Sequence, residues 1–265
     1  MNFKILCSDL DGTLLSTKSD VSDVTISEIS RIKERLKVIL VSARMPQSMT
    51  YLQKRLGIQD QPIICYNGAL VLDRGKEVFS EVIELSAVEK VYRLSEEHKV
   101  KLGLYQNSEW YVEETTKRVE KEIKDTWAKP IFRPTSITLE DWKKRKISAH
   151  KIMLMGTKTS ADVLFSKLIE KFSEQMNIYR SNDTLIELAP KSVTKLSAIQ
   201  MLLSGNESLS DVISFGDNYN DLEMLQHSGL GVAVGNARHE VKAIANHITL
   251  KNTEHGVAYF IRQHL

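Results

Sequence analysis

The chain has 265 residues, 42% hydrophobic and 26% charged, with a formal net charge of +2. That balance excludes long disorder and supplies too little positive charge to argue for a nucleic-acid partner. The length is near the upper limit of one hydrophobic core, so two domains are expected.

The first third alternates between strand and helix signals. Phe3 to Cys7 is a short apolar run, with Asp9 just past its end. Ser22 can cap a helix that carries Ile26, Ile29, Ile32 and Leu36 on one side. Val38 to Val41 is a β-branched run suited to a parallel strand buried on both faces. Pro46 fits the first turn of a helix that stops at Gly57. Ile63 to Tyr66 reads as a third strand, followed by the turn signal Asn67-Gly68.

The middle reads differently. Ser86-x-x-Glu89 has the form of a capping box opening a helix to about His98. Leu102 to Gln106 and Trp110 to Val112 look like a hairpin, and Lys151 to Met155 like another strand. A helix with Leu164, Leu168 and Phe172 on one face follows, then strands at Asn177 to Arg180 and Leu185 to Leu188. The βα alternation resumes at Lys195 to Leu203, a helix. Asp211 to Phe215 is a strand ending at Gly216-Asp217, and Leu222 to His227 is helical. Leu230 to Val234 is a strand, Val241 to Ala245 a helix, His247 to Leu250 a last strand, and Val257 onward a closing helix. The fold class expected is α/β, a Rossmann-like parallel-sheet core. An α+β domain over 83–188 is inserted into it, leaving 1–82 and 189–265 as the core.

Cys7 and Cys65 lie in apolar runs without zinc or redox spacing, as core thiols in a reduced compartment would. Met1 to Cys7 lacks the charged start and long apolar stretch of a leader, and no apolar run approaches the ~18 residues that span a membrane. A soluble, cytoplasmic protein with no membrane partner is expected. Lys143-Lys-Arg-Lys146 is read as solvated surface, not as a nucleic-acid site. Oligomeric state is not legible.

Four clusters carry chemistry. Asp9-Leu10-Asp11 places two acids at a strand's carboxyl end, where open parallel sheets bind ligands. A calcium loop would need glycine where Leu14 stands. Ser42-Ala43-Arg44 follows the second strand, where a hydroxyl and free N–H groups can hold a phosphate oxygen; serine there is also a common turn residue. Lys195 opens the helix after the inserted domain, a position that lifts it above an ordinary surface lysine. Gly216-Asp217-Asn218-Tyr219-Asn220-Asp221 follows a buried strand and offers two aspartates as hard oxygen ligands.

Together these residues resemble the haloacid dehalogenase-like hydrolases, and within them the Cof-type, sugar-phosphatase-like enzymes with a type IIB cap. Asp9-Leu-Asp-Gly-Thr-Leu-Leu and Gly216-Asp-Asn-Tyr-Asn-Asp-Leu-Glu-Met-Leu carry most of the likeness. Tyr66-Asn-Gly-Ala69, Ala233-Val-Gly-Asn-Ala237 and Gly256-Val-Ala258 add to it. The resemblance implies a Mg²⁺-dependent phosphatase acting on small phosphorylated metabolites such as sugar phosphates. Asp9 would attack phosphorus, and Asp11 would protonate the leaving oxygen and then activate water. Asp9, the Leu10–Asp11 backbone, with Asp11 through its carbonyl, and Asp217 would surround the metal, and Asp221 would support the metal shell or orient Lys195. Leu10, Ser42, the Ala43 N–H, Lys195 and Asn220 would hold the phosphoryl oxygens. Ser42-Ala43-Arg44 departs from the usual Thr-Gly-Arg, keeping the hydroxyl and the N–H. Repulsion between a carboxylate and a phosphate dianion is about 8 kcal/mol at 4 Å and an effective ε of ~20, so such a site needs a divalent ion and a lysine. A phosphomutase and a non-catalytic metabolite-binding regulator are the alternatives.

Overall fold

The computed structural model describes residues 3–17 and 19–265. Met1 and Asn2, part of the N-terminal segment weighed above, lie outside the described residues. The chain divides into two compact units, one of Met1–Phe79 with Thr194–Leu265, the other of Ser80–Val193.

The first unit begins with β1 (Ile5–Ser8), α1 (Asp23–Ile32), β2 (Lys37–Val41), α2 (Pro46–Leu56), β3 (Ile63–Cys65), β4 (Leu70–Asp73) and β5 (Lys76–Ser80). The second holds α3 (Leu85–Glu97), β6 (Lys101–Gln106), β7 (Glu109–Val112), α4 (Lys117–Thr126), β8 (Ile131–Phe132) and α5 (Thr135–Arg145). It continues with β9 (Lys151–Met155), α6 (Lys158–Phe172), β10 (Met176–Asn182) and β11 (Leu185–Pro190). The first unit then resumes with α7 (Lys195–Met201), β12 (Val212–Gly216), α8 (Leu222–His227), β13 (Leu230–Ala233), α9 (His239–Ile244), β14 (His247–Ile248) and α10 (Gly256–His264).

The local signals act as their chemistry requires. The Ser22 side chain accepts the Thr25 N–H at the start of α1. Pro46 opens α2, and Gly57 closes it at φ 66, a left-handed angle open to glycine. The sheet of this unit runs β14-β13-β12-β1-β2-β3-β4-β5. Pairs from β14 through β3 are parallel, and β4 folds back antiparallel on β3. The chain builds outward from β1 to β3, then returns to the other side of β1 at β12. Strand order therefore reverses at β1, the switch point at whose carboxyl edge open parallel sheets bind ligands.

The second unit has a six-stranded sheet ordered β10-β11-β9-β6-β7-β8. Its pairs are antiparallel except β7 with β8. Leu104, Ile152 and Ile186 on alternate strand positions pack with Val88 and Leu94 of α3, Leu139 and Trp142 of α5, and Leu164 and Leu168 of α6. Trp110 is fully buried and stacks on Tyr105 at 5.4 Å between ring centroids, a packing role.

Several expectations are corrected here. Ser86 does not cap α3: the cap position is Glu84, and the Ser86 hydroxyl bonds the Glu84 carboxylate at 3.3 Å. The helix starts earlier because the Ile83 N–H is held by the Ala149 carbonyl, while the Ala87 N–H already reaches Glu84. Helices α4 and α5 form where no helix was expected. Val119 and Thr126 are the buried residues of α4, too few to write a helical period into the sequence. The last strand and the helix before it are shorter or shifted by a residue or two, the usual uncertainty at element ends. The Lys143–Lys146 run forms the last turn of α5, where cations meet a helix carboxyl end, and Arg145 pairs with Glu109 and Asp141.

Candidate active site

Asp9 leaves β1 with its N–H donated to the Phe215 carbonyl at 3.0 Å, which fastens it to the end of β12. The loop then turns through Gly12 at φ 86. A Cβ there would stand 2.6 Å from Asp217 Oδ2, so glycine is what lets the two loops close on each other. Thr13 Oγ1 donates to Asp217 Oδ1 at 3.0 Å from the same turn.

Lys195 is the first residue of α7, set by Thr194, whose side chain accepts the Ser197 N–H. Its ammonium lies 2.6 Å from Asp9 Oδ1 and 2.6 Å from Asp221 Oδ1. Asp221 is fully buried, and its other oxygen accepts the N–H groups of Asp217 and Asn218 at 2.9 and 3.0 Å. Both Asp221 oxygens are thus engaged, so it braces Lys195 and the Asp217 turn at once.

Carboxylate oxygens of Asp9, Asp217 and Asp221 lie within 4.8 Å of one another, around one ammonium. Burial pushes the Asp9 carboxyl well above its ordinary range; Lys195 opposes this, while Asp221 and Asp217 reinforce it. Burial, reinforced by Asp221, pushes Asp217 up to about 6. For Lys195, burial opposes the charge, but Asp221 and Asp9 outweigh it and hold the ammonium above the ordinary lysine range. Negative charge exceeds positive in this largely buried cluster of hard oxygens. That donor set fits a divalent cation such as Mg²⁺.

Asp11 lies apart from this cluster. Arg44 Nε and Nη2 clamp its two oxygens at 2.7 Å each, with Arg44 buried and the Asp11 side chain 47% exposed. Ser42 is buried, and its hydroxyl accepts the Arg44 N–H at 3.2 Å, which leaves its own proton to donate. Ala43 is not among the described residues with positive φ, so alanine stands in that loop without strain. The Leu10 and Asp11 N–H groups donate to no backbone carbonyl among the described residues. Asn220 donates its side-chain N–H to Asn67 Oδ1 at 2.9 Å.

The structure therefore gathers Asp9, Lys195, Asp217 and Asp221, with Asp11, Ser42, Ala43 and Asn220 on the surrounding loops. Reading the sequence missed the parts taken by Thr13, Arg44 and Asn67. Each lies inside a motif already noticed, but its partner is distant in sequence.

A model of the haloacid dehalogenase-like hydrolases matches residues 6–261. The chain belongs to that family. A relative from Haemophilus influenzae is 31% identical over 99% of this chain and 98% of its own length. The pyridoxal phosphate phosphatase of Escherichia coli is 28% identical over the whole of both chains. A haloacid dehalogenase-like hydrolase from Bacteroides thetaiotaomicron superposes with a TM-score of 0.89 at 26% identity, over 99% of this chain and 100% of that one. The resemblance seen in the motifs, and the α/β fold it implied, both hold. As a member of this family the chain is an enzyme, a phosphatase.

Proposed function

We propose that this haloacid dehalogenase-like phosphatase hydrolyses small phosphorylated metabolites, with Mg²⁺ and through an aspartyl-phosphate on Asp9. The observation that carries the reading is the surplus of acid around Lys195: three carboxylates about one ammonium, with Asp9 and Asp217 pushed above the ordinary carboxylate range by burial, which Asp221 reinforces. Asp9 and Asp217 would hold Mg²⁺ with the Asp11 carbonyl, and Asp221 would act from behind them. When bound, the ion supplies positive charge that offsets repulsion between Asp9 and the phosphoryl oxygens.

In this reading an Asp9 oxygen attacks phosphorus as the bond to the ester oxygen breaks. Asp11 turns from Arg44, takes up a proton from solvent and gives it to the leaving oxygen. Water then attacks the same phosphorus, Asp11 takes its proton, the Asp9–phosphorus bond breaks and inorganic phosphate is released. Lys195, the Ser42 hydroxyl, the Ala43 N–H, the free N–H groups of Leu10 and Asp11, and Asn220 bind the phosphoryl oxygens. Phosphoryl transfer is mainly positioning and charge stabilisation, so this set is sufficient.

Residues 83–188, within the second compact unit, are proposed as a type IIB cap that selects the leaving group. That a full-length relative is named for pyridoxal phosphate supports a small-metabolite substrate. No helix of the described residues is long and apolar enough to cross a membrane. Both cysteines are free and buried, as suits the cytoplasmic setting proposed.

The test is phosphate release from p-nitrophenyl phosphate, sugar phosphates and pyridoxal 5′-phosphate with a Mg²⁺ titration. Release should depend on Mg²⁺ and stop with EDTA. Full activity without divalent ions would defeat the metal assignment. Transfer of the phosphoryl group to a sugar rather than water would favour a mutase.

A further inference from the structure

We propose that Asn67 is a positioning residue that fixes the Asn220 side-chain amide for phosphoryl binding. This rests on the reading above that Asn220 touches the phosphoryl group, and it assigns a task to a turn that the reading leaves idle.

Tyr66, Asn67 and Gly68 follow β3 with φ values of 52, 57 and 110. Two consecutive non-glycine residues in the left-handed region are uncommon, and asparagine tolerates it better than most. The surroundings impose this backbone. The Tyr66 N–H donates to the Arg44 carbonyl at 3.2 Å, and the Asn67 N–H to the Ser42 carbonyl at 2.9 Å. Both bonds go to the loop that carries the expected phosphate ligands after β2. On the far side, a Cβ at Gly68 would collide with the Thr194 carbonyl, the residue that caps the Lys195 helix. One buried turn is therefore wedged between the Ser42 loop and α7.

From that turn Asn67, 4% exposed, presents Oδ1 to the Asn220 amide at 2.9 Å. The Asn220 nitrogen has two N–H bonds. Asn67 takes one, and the second stays available to a phosphoryl oxygen. Without an acceptor at Asn67 the amide can flip and turn its carbonyl oxygen toward the anion. Asn67 thus sets which end of Asn220 faces the substrate, and the wedged turn keeps that choice in register with Ser42 and Lys195.

The experiment uses the full-length enzyme, p-nitrophenyl phosphate as substrate, inorganic phosphate as competing product, and a double-mutant cycle. Asn67→Gly removes the acceptor and keeps a residue suited to positive φ. Relative to wild type, Asn67→Gly and Asn220→Ala should each weaken inhibition by inorganic phosphate and lower kcat/KM about tenfold. The double variant should be no worse than Asn220→Ala, with melting temperatures close together. A merely structural turn would move the melting temperature without this shared loss. Wild-type phosphate inhibition in Asn67→Gly, or losses that multiply in the double variant, would overturn the proposal. If Asn67→Gly does not fold, Asn220→Ala alone decides, because unchanged phosphate inhibition there removes the residue that Asn67 is said to position. An inactive wild-type enzyme would instead sink the phosphatase reading itself, so the two failures are distinguishable.

Discussion

Two buried lysines, one in each unit, show what separates a site from a structural ion pair. Lys195 is 1% exposed and meets Asp9 and Asp221, with Asp217 beside them. Lys151 is 4% exposed and meets Glu187 at 3.0 Å, while Glu187 also takes the Ser181 hydroxyl at 2.5 Å. Lys151 further stands 4.4 Å from the Tyr105 ring. Burial opposes the Glu187 carboxylate, but Lys151 and Ser181 outweigh it and hold its pKa below the ordinary range. Around Lys195 two acids are displaced in the opposite direction. Burial is common to both lysines. Charge imbalance belongs to one, and it is there that the proposed cation and reaction have a use.

The sharpest way to break this comparison is to remove the nucleophile. Asp9→Asn keeps the shape of the cluster and should cost at least roughly 10⁴-fold in kcat, read by phosphate release. Retained turnover would make the Lys195 cluster no more functional than the Lys151 pair. Next, Lys151→Met leaves Glu187, 15% exposed, without that ammonium and should destabilise the protein by about 2–3 kcal/mol in urea unfolding at pH 7. Adding Glu187→Leu should recover most of that loss, as expected of a balanced pair. Lys195→Met should lower kcat by roughly 10²- to 10³-fold. It should also make folding more dependent on Mg²⁺, seen as a larger rise in melting temperature on adding the ion. If Lys195→Met alters stability and leaves turnover intact, the distinction fails.

The last test concerns neutrality in the second unit. His150 Nδ1 accepts the Asn107 N–H at 3.0 Å, so its proton sits on Nε2, 2.9 Å from the Ser80 hydroxyl. Burial holds its pKa down to about 4, below the ordinary 6.5. A pKa depressed in the folded state favours folding above the unfolded value. The stabilisation is therefore complete above pH 6.5 and is lost as pH falls toward 4. Its full size is on the order of 3 kcal/mol. Urea midpoints of wild type and His150→Gln, measured from pH 7.5 to 4, should converge at the acid end. Parallel curves would show that His150 titrates normally.

Much of the first unit could be read from the chain, because its signals are local. Ser22, Pro46 and Gly57 act within a turn of where they stand, and Val38 to Val41 announces a buried strand by composition alone. The second unit hid more. Helix α4 rests on two buried side chains, Val119 and Thr126, and Ser86 and Glu89 have the spacing of a capping box two residues past the true cap, Glu84. In the site, Asp9, Asp11, Lys195, Asp217 and Asp221 were nameable from motifs. Arg44, Thr13 and Asn67 stood in those motifs without a task, because the groups that give them one lie on other strands.

By itself the sequence determined the α/β core, the family and the acids of the site, since periodicity and short motifs record local geometry and backbone need. Only the tertiary structure decided the pairings: Arg44 on Asp11, Lys195 between Asp9 and Asp221, Asn67 on Asn220. Those follow from the reversal of strand order at β1, which brings loops from distant stretches of chain to one edge of the sheet. A hydrogen bond between residues 67 and 220 leaves no period or spacing in a sequence; it exists because two strand ends were folded side by side.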